Sequence, residues 1–187
     1  MGIKITKTII EGVYIIEPDY YCDNRGYYAE VFSERTLRSE NIILKHFVQD
    51  SHSYNKQKGT IRGIHFQNKP HNQTKIVRCI RGSMLDCAVD LRKNSPTYLK
   101  SVVVELSETN HKQLLIPNYC GHGYVTLEDD VEMMYKLDDF WHPECEGSVN
   151  LFDKDIDINW PIPTDKLIYN EKDKKAPLVK DANIDLE

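Results

Sequence analysis

Between Gln49 and Arg92 the chain gathers groups that can move protons or hold anions: His52, Arg62, His65, Lys75, Arg78, Asp86 and Asp90. Burying a polar group without a partner costs roughly 2–7 kcal/mol, so a purely structural sheet would carry few of them. The plain alternative is that they point to solvent from alternate faces. His65 fits that alternative least, because it sits between Ile64 and Phe66 rather than among charges. A neutral imidazole there could take a proton from carbon, given a carboxylate to fix its tautomer and stabilise its charged form. Lys75 could stabilise the oxyanion that results. Tyr135 shares a strand face with Val131 and Met133 and could deliver a proton from the opposite side. Its plain alternative is a core tyrosine whose hydroxyl reaches the rim.

The same residues bear on metal binding. A β-barrel metal site of this kind usually takes two histidines two apart on one strand, a carboxylate and a later histidine. Here the order is Ile64-His65-Phe66-Gln67, with Gln67 where the second histidine would stand; His122 remains as a later ligand. The set is incomplete, and the reading is metal-free. No Ser-His-Asp spacing, Walker loop or GxGxxG occurs, so acyl transfer, ATP use and hydride transfer lack support.

The elements that must position these groups are strands. In Met84–Arg92, Leu85, Cys87, Val89 and Leu91 share one face, and Met84, Asp86, Ala88 and Asp90 the other. Val131–Leu137 alternates likewise, and GVYIIEP, KIVRCIRG, SVVVELS and KQLLIP are short β-rich runs bounded by turn residues. Ser33–Asn41 predicts a short helix capped by Ser33, and the stretch from Thr164 predicts another turn or two. Many short, closely spaced strands predict a mainly β sandwich or barrel of the jelly-roll kind. With 187 residues and no internal repeat or linker, the expectation is one domain spanning residues 1–187.

Composition narrows the partners. A formal net charge of -5 and a pI near 5.8 argue against a nucleic-acid face. A few local arginines and lysines still suffice for a diphosphate. No apolar run reaches the roughly 20 residues of a membrane span, and the start does not resemble a signal peptide. Five cysteines without a CxxC pair favour reduced, mostly buried thiols and a cytoplasmic location. The polar tail after Pro177 is the one stretch whose composition suggests disorder.

Several motifs in order resemble the dTDP-4-dehydrorhamnose 3,5-epimerase family: DNRGYYAE, VQDSHS, KGTIRGIHFQ, QTKIVRCIRGSMLDCAVDLRKNSPTY, IPNYCGHGY, MYKLDDFWHPECEG and INWP. The resemblance runs over roughly residues 8 to 180. It implies a jelly-roll of the cupin type, a homodimer, a nucleotide-diphosphate sugar substrate and no cofactor. It implies a histidine–aspartate base, matching His65 and, in NEKDKK, Asp173; Lys75 matches the group beside the enolate and Tyr135 the proton donor. Arg25, Glu30, Gln49 and Arg62 match the nucleotide or diphosphate site, and Trp141 stands where an aromatic packs on the ligand. By that match, inversion at both carbons flanking the C4 ketone converts dTDP-4-dehydro-6-deoxy-glucose into dTDP-4-dehydro-rhamnose.

Three positions depart from the family pattern. Ser51 replaces an asparagine and is a shorter donor near the diphosphate. Tyr119-Cys120-Gly121-His122-Gly123 replaces GFAHG, changing the bulk beside His122, a further substrate-binding candidate. Trp141 replaces a usual tyrosine. Strict alternation also sets Arg62 and His65 on opposite faces, unless Gly63 hosts a bulge or Arg62 serves a neighbouring subunit. Rival readings are an epimerase acting on one carbon or another nucleotide sugar, a metal-dependent cupin, and a silent sugar-nucleotide binder.

Overall fold

The alternating runs pair into two facing antiparallel sheets in a computed structural model that describes residues 2–156 and 158–187. In chain order the strands are β1 (Ile3–Lys7), β2 (Tyr14–Pro18), β3 (Tyr21–Asp23), β4 (Gly26–Tyr28), β5 (Gln49–Asn55) and β6 (Ile61–Gln67). They continue as β7 (Lys75–Arg81), β8 (Ser83–Asp90), β9 (Ser101–Ser107), β10 (Gln113–Ile116), β11 (Cys120–Thr126), β12 (Val131–Leu137) and β13 (Glu146–Ser148). One sheet runs β1-β2-β10-β7-β12-β5, the other β13-β6-β11-β8-β9, and β3-β4 is a separate hairpin. This is a mainly β jelly-roll of the cupin type.

Period-two burial explains the layers. Val77, Cys79, Leu114, Ile116, Val131 and Met133 from the first sheet meet Met84, Ala88, Val104, Leu106 and Tyr124 from the second. The second sheet is covered on its other face too. There Leu85, Cys87, Val89 and Leu91, the opposite alternation of β8, pack under Val149, Leu151, Ile156, Val179 and Leu186. The suggestion of disorder after Pro177 is therefore corrected. Val179 and Leu186 are buried, and each buried aliphatic side chain contributes about 1.5–3 kcal/mol, enough to order an otherwise polar segment. The tail is also tied to the turn after β6, where Lys69 N–H donates to Asp185 O.

Helices are short, as their signals predicted. α1 (Glu34–Ser39) starts at Ser33, whose hydroxyl accepts from Thr36 N–H. Its Leu37 joins Ile16, Ile42, Ile76 and Leu115 on the outer face of the first sheet. α2 (Glu171–Lys174) is capped by Asn170, whose side chain accepts from Asp173 N–H at 2.7 Å. The cysteines are all free, and only Cys22 is exposed.

Candidate active site

His65 and His122 face each other across the β6–β11 pair, in direct register. Two residues along β11 then match three along β6, so Tyr124 pairs with Arg62. This extra residue is a β-bulge, and it resolves the alternation conflict between Arg62 and His65. Gly63 makes it possible: its φ is +121°, and a Cβ there would lie 2.6 Å from Gly123 Cα.

Each histidine holds a buried aspartate. His65 Nε2 lies 2.6 Å from Oδ1 of Asp173, delivered by α2, and His122 Nε2 lies 2.7 Å from Oδ1 of Asp86 on β8. Both carboxylates are buried, and the Oδ2 of each has no hydrogen-bond partner among the described residues. The imidazoles differ. The His65 side chain is 29% exposed, against 9% for His122. An ion pair between Lys172 and Glu146, 2.6 Å long, ties α2 to the start of β13 beside His65.

His65 opens into a cavity of about 380 Å³ between the sheets. The facing wall is built by register on the first sheet, where Lys75, Leu137 and Gln49 form one row and Val77, Tyr135 and Ser51 another. Lys75, Tyr135, Gln49, Ser51 and Trp141 all line the cavity with His65. Burial pushes the Lys75 ammonium down to about 8, against the opposing pull of the Asp86 and Glu146 carboxylates. A lysine so placed is a compact charge aimed at any oxyanion formed in the cavity.

The remaining candidates lie elsewhere. Asp173 sits behind His65, away from the cavity surface. His122 is enclosed with Asp86. Arg62 donates through Nε to Asn55 Oδ1 at 3.2 Å, the same oxygen that accepts from Tyr124 at 3.0 Å. Arg25, on the exposed β3-β4 hairpin, pairs with Asp23, and Glu30 accepts from Thr36 on the outer face of the first sheet. Neither reaches the cavity of its own chain. Gln67 is no substitute metal ligand: its amide donates to His71 O and Phe140 O and accepts from His142 N–H. Sequence reasoning gave no role to Asp86, although an acid alternating with Met84 and Ala88 on an apolar face was the signal that something inside holds it.

Proteins similar in sequence and in fold cover most of this chain. The sequence family described as dTDP-4-dehydrorhamnose 3,5-epimerase matches residues 7–181. A dTDP-4-dehydrorhamnose 3,5-epimerase of Methanothermobacter thermautotrophicus is 43% identical over 173 residues, covering 91% of each chain. The crystal structure of that enzyme from Elizabethkingia anophelis superposes with a TM-score of 0.92 at 41% identity, covering 97% of this chain and 98% of its own. A dTDP-6-deoxy-D-glucose-3,5-epimerase of Legionella pneumophila, solved with dTDP-4-keto-L-rhamnose, gives 0.90 at 36%, covering 95% and 93%.

Proposed function

The chain belongs to the dTDP-4-dehydrorhamnose 3,5-epimerase family and is an isomerase, and from that premise we propose the reaction and the residues that run it. The substrate is dTDP-4-dehydro-6-deoxy-D-glucose, and inversion at C3 and C5 gives dTDP-4-dehydro-L-rhamnose. One observation carries the reading: an Asp173-backed imidazole on one wall faces a tyrosine and a lysine on the opposite sheet of the same cavity.

The C4 ketone acidifies the protons on both neighbouring carbons. With His65 Nε2 committed to Asp173, Nδ1 is left to take the proton, and the buried carboxylate stabilises the imidazolium that forms. The electron pair moves onto the C4 oxygen, where the Lys75 ammonium meets the enolate charge. Tyr135, from the other sheet, returns a proton to the opposite face, and the carbon inverts. Repetition at the second carbon completes the reaction. Protons alone move, so these steps consume no redox cofactor. Trp141, a largely exposed residue of the cavity lining, offers a flat face to the nucleotide base, and Gln49 and Ser51 offer donors to the substrate.

A homodimer accounts for Arg25 and Glu30, which lie outside their own cavity and would serve a second copy's site. Buried thiols without a disulfide support a reducing compartment, the cytoplasm.

Proton NMR in deuterated water with this substrate tests the proposal. Loss of both the C3 and C5 proton signals is expected. Loss at one carbon would replace it with a single-carbon epimerase, and no exchange would point to another nucleotide sugar or a silent binder.

A further inference from the structure

Beside the mouth of the cavity, two histidines and two carboxylates converge without any part in the proton transfer. His71 lies in the turn after β6, and His142 follows β12. Their imidazole rings stack face to face, with centroids 3.4 Å apart and planes within 9°. His71 Nδ1 is 3.2 Å from Oδ2 of Asp139, and His142 Nδ1 is 2.9 Å from Oε1 of Glu144. One donor atom from each of His71, Asp139 and His142 falls within 4.8 Å of the others. Their side chains are only partly exposed, at 33%, 23% and 29%. Solvent and ions reach them, yet the backbones that carry them are fixed.

That fixing is done by two glutamines. Gln67 Nε2 donates to His71 O at 2.6 Å and to Phe140 O at 3.1 Å, while its Oε1 accepts from His142 N–H at 2.7 Å. Gln73 Nε2 donates to Asp139 O at 2.9 Å and Phe140 O at 3.0 Å. Both glutamines are buried. The turn bearing His71 and the segment bearing Asp139 and His142 are thus locked together before any ion arrives, so binding has little backbone order left to impose.

We propose that His71, Asp139 and His142 bind one divalent transition ion of the zinc, cobalt or nickel kind, with Glu144 available as a fourth donor. Two imidazoles with carboxylate favour such ions over magnesium or calcium, which prefer all-oxygen shells. Zinc bonds of about 2.0–2.2 Å place tetrahedral donor atoms roughly 3.3 Å apart, so the donors must close in. The stacked rings must also hinge, because two parallel imidazoles cannot aim their in-plane lone pairs at one ion. Partly exposed side chains can make that rotation while the glutamine-held backbone stays put. Trp141, which lines the cavity, lies between Phe140 and His142, so an ion here would sit next to the cavity mouth. The site is separate from His65 and Lys75, and its occupancy is read on the protein alone, independently of epimerisation.

Calorimetric titration of the full chain with Co²⁺ and with Zn²⁺ tests this, comparing wild type with His71→Ala, His142→Ala and the distant His46→Ala. Circular dichroism checks that each variant is folded. The expected result is one ion per chain, cobalt absorption bands typical of imidazole ligation, and quenching of tryptophan emission by Co²⁺. His71→Ala and His142→Ala should each weaken binding by roughly 10–100-fold or more, while His46→Ala should bind as wild type does. The proposal is overturned by a wild-type chain that takes up no ion at that stoichiometry, by wild-type affinity in both site variants, or by an equal loss in His46→Ala.

Discussion

The two histidine–aspartate pairs are nearly the same object built twice. They sit across one strand pair, in register, each with an Nε2 to Oδ1 hydrogen bond and a buried carboxylate. What separates them is access. The His65 ring is about three times as exposed as that of His122 and borders the cavity, while His122 is enclosed beside Asp86. A dyad becomes a base only where a substrate carbon can reach its free nitrogen. The enclosed dyad has a different use, because its Asp86 carboxylate holds up the charge of Lys75 against burial.

Breaking the accessible pair should have the largest effect. His65→Ala removes the proposed base and should take solvent exchange at the sugar carbons close to or below detection, a loss of roughly 10⁴-fold, read by deuterium incorporation. Asp173→Asn keeps the ring but loses its orienting charge. Turnover should fall by roughly 10²–10⁴-fold, and near-normal turnover would mean that another carboxylate partners His65.

Breaking the enclosed pair should act on stability first. Asp86→Asn should cost about 1–3 kcal/mol in urea unfolding, because a buried imidazole loses its charged partner. The same variant sharpens the electrostatic contrast. Activity in the wild type should decline as pH rises through about 8, where Lys75 loses its proton and, with it, its proposed hold on the enolate. Removing the Asp86 charge lowers the Lys75 value further, so that decline should begin at lower pH. An unchanged alkaline limb in Asp86→Asn would show that Lys75 does not set it.

Much of the framework was legible because its signals are local. Alternation in Met84–Arg92 and Val131–Leu137 marked β8 and β12, and Ser33 marked the start of α1. The β3-β4 hairpin was not, being three-residue strands exposed throughout, with no buried face to impose a pattern. The layer over the second sheet was hidden as well. Leu151, Ile156 and Leu186 come from turns and irregular chain and Val179 from a single 3-10 turn, and no period links them. In the site, His65, Lys75 and Tyr135 stood out by residue type on short strands, yet Asp173 is 108 positions from His65 and was reachable only through the family resemblance. The pairing of Asp86 with His122 depends on the β8–β11 neighbourhood, which no single strand reveals.

In the proposed mechanism His65 and Tyr135 act from opposite walls, one removing protons and the other returning them. Tyr135→Phe tests it most directly, with deuterium incorporation and product formation followed together in deuterated water. Exchange is expected to survive largely intact while inversion falls steeply. Equal losses in both would contradict it.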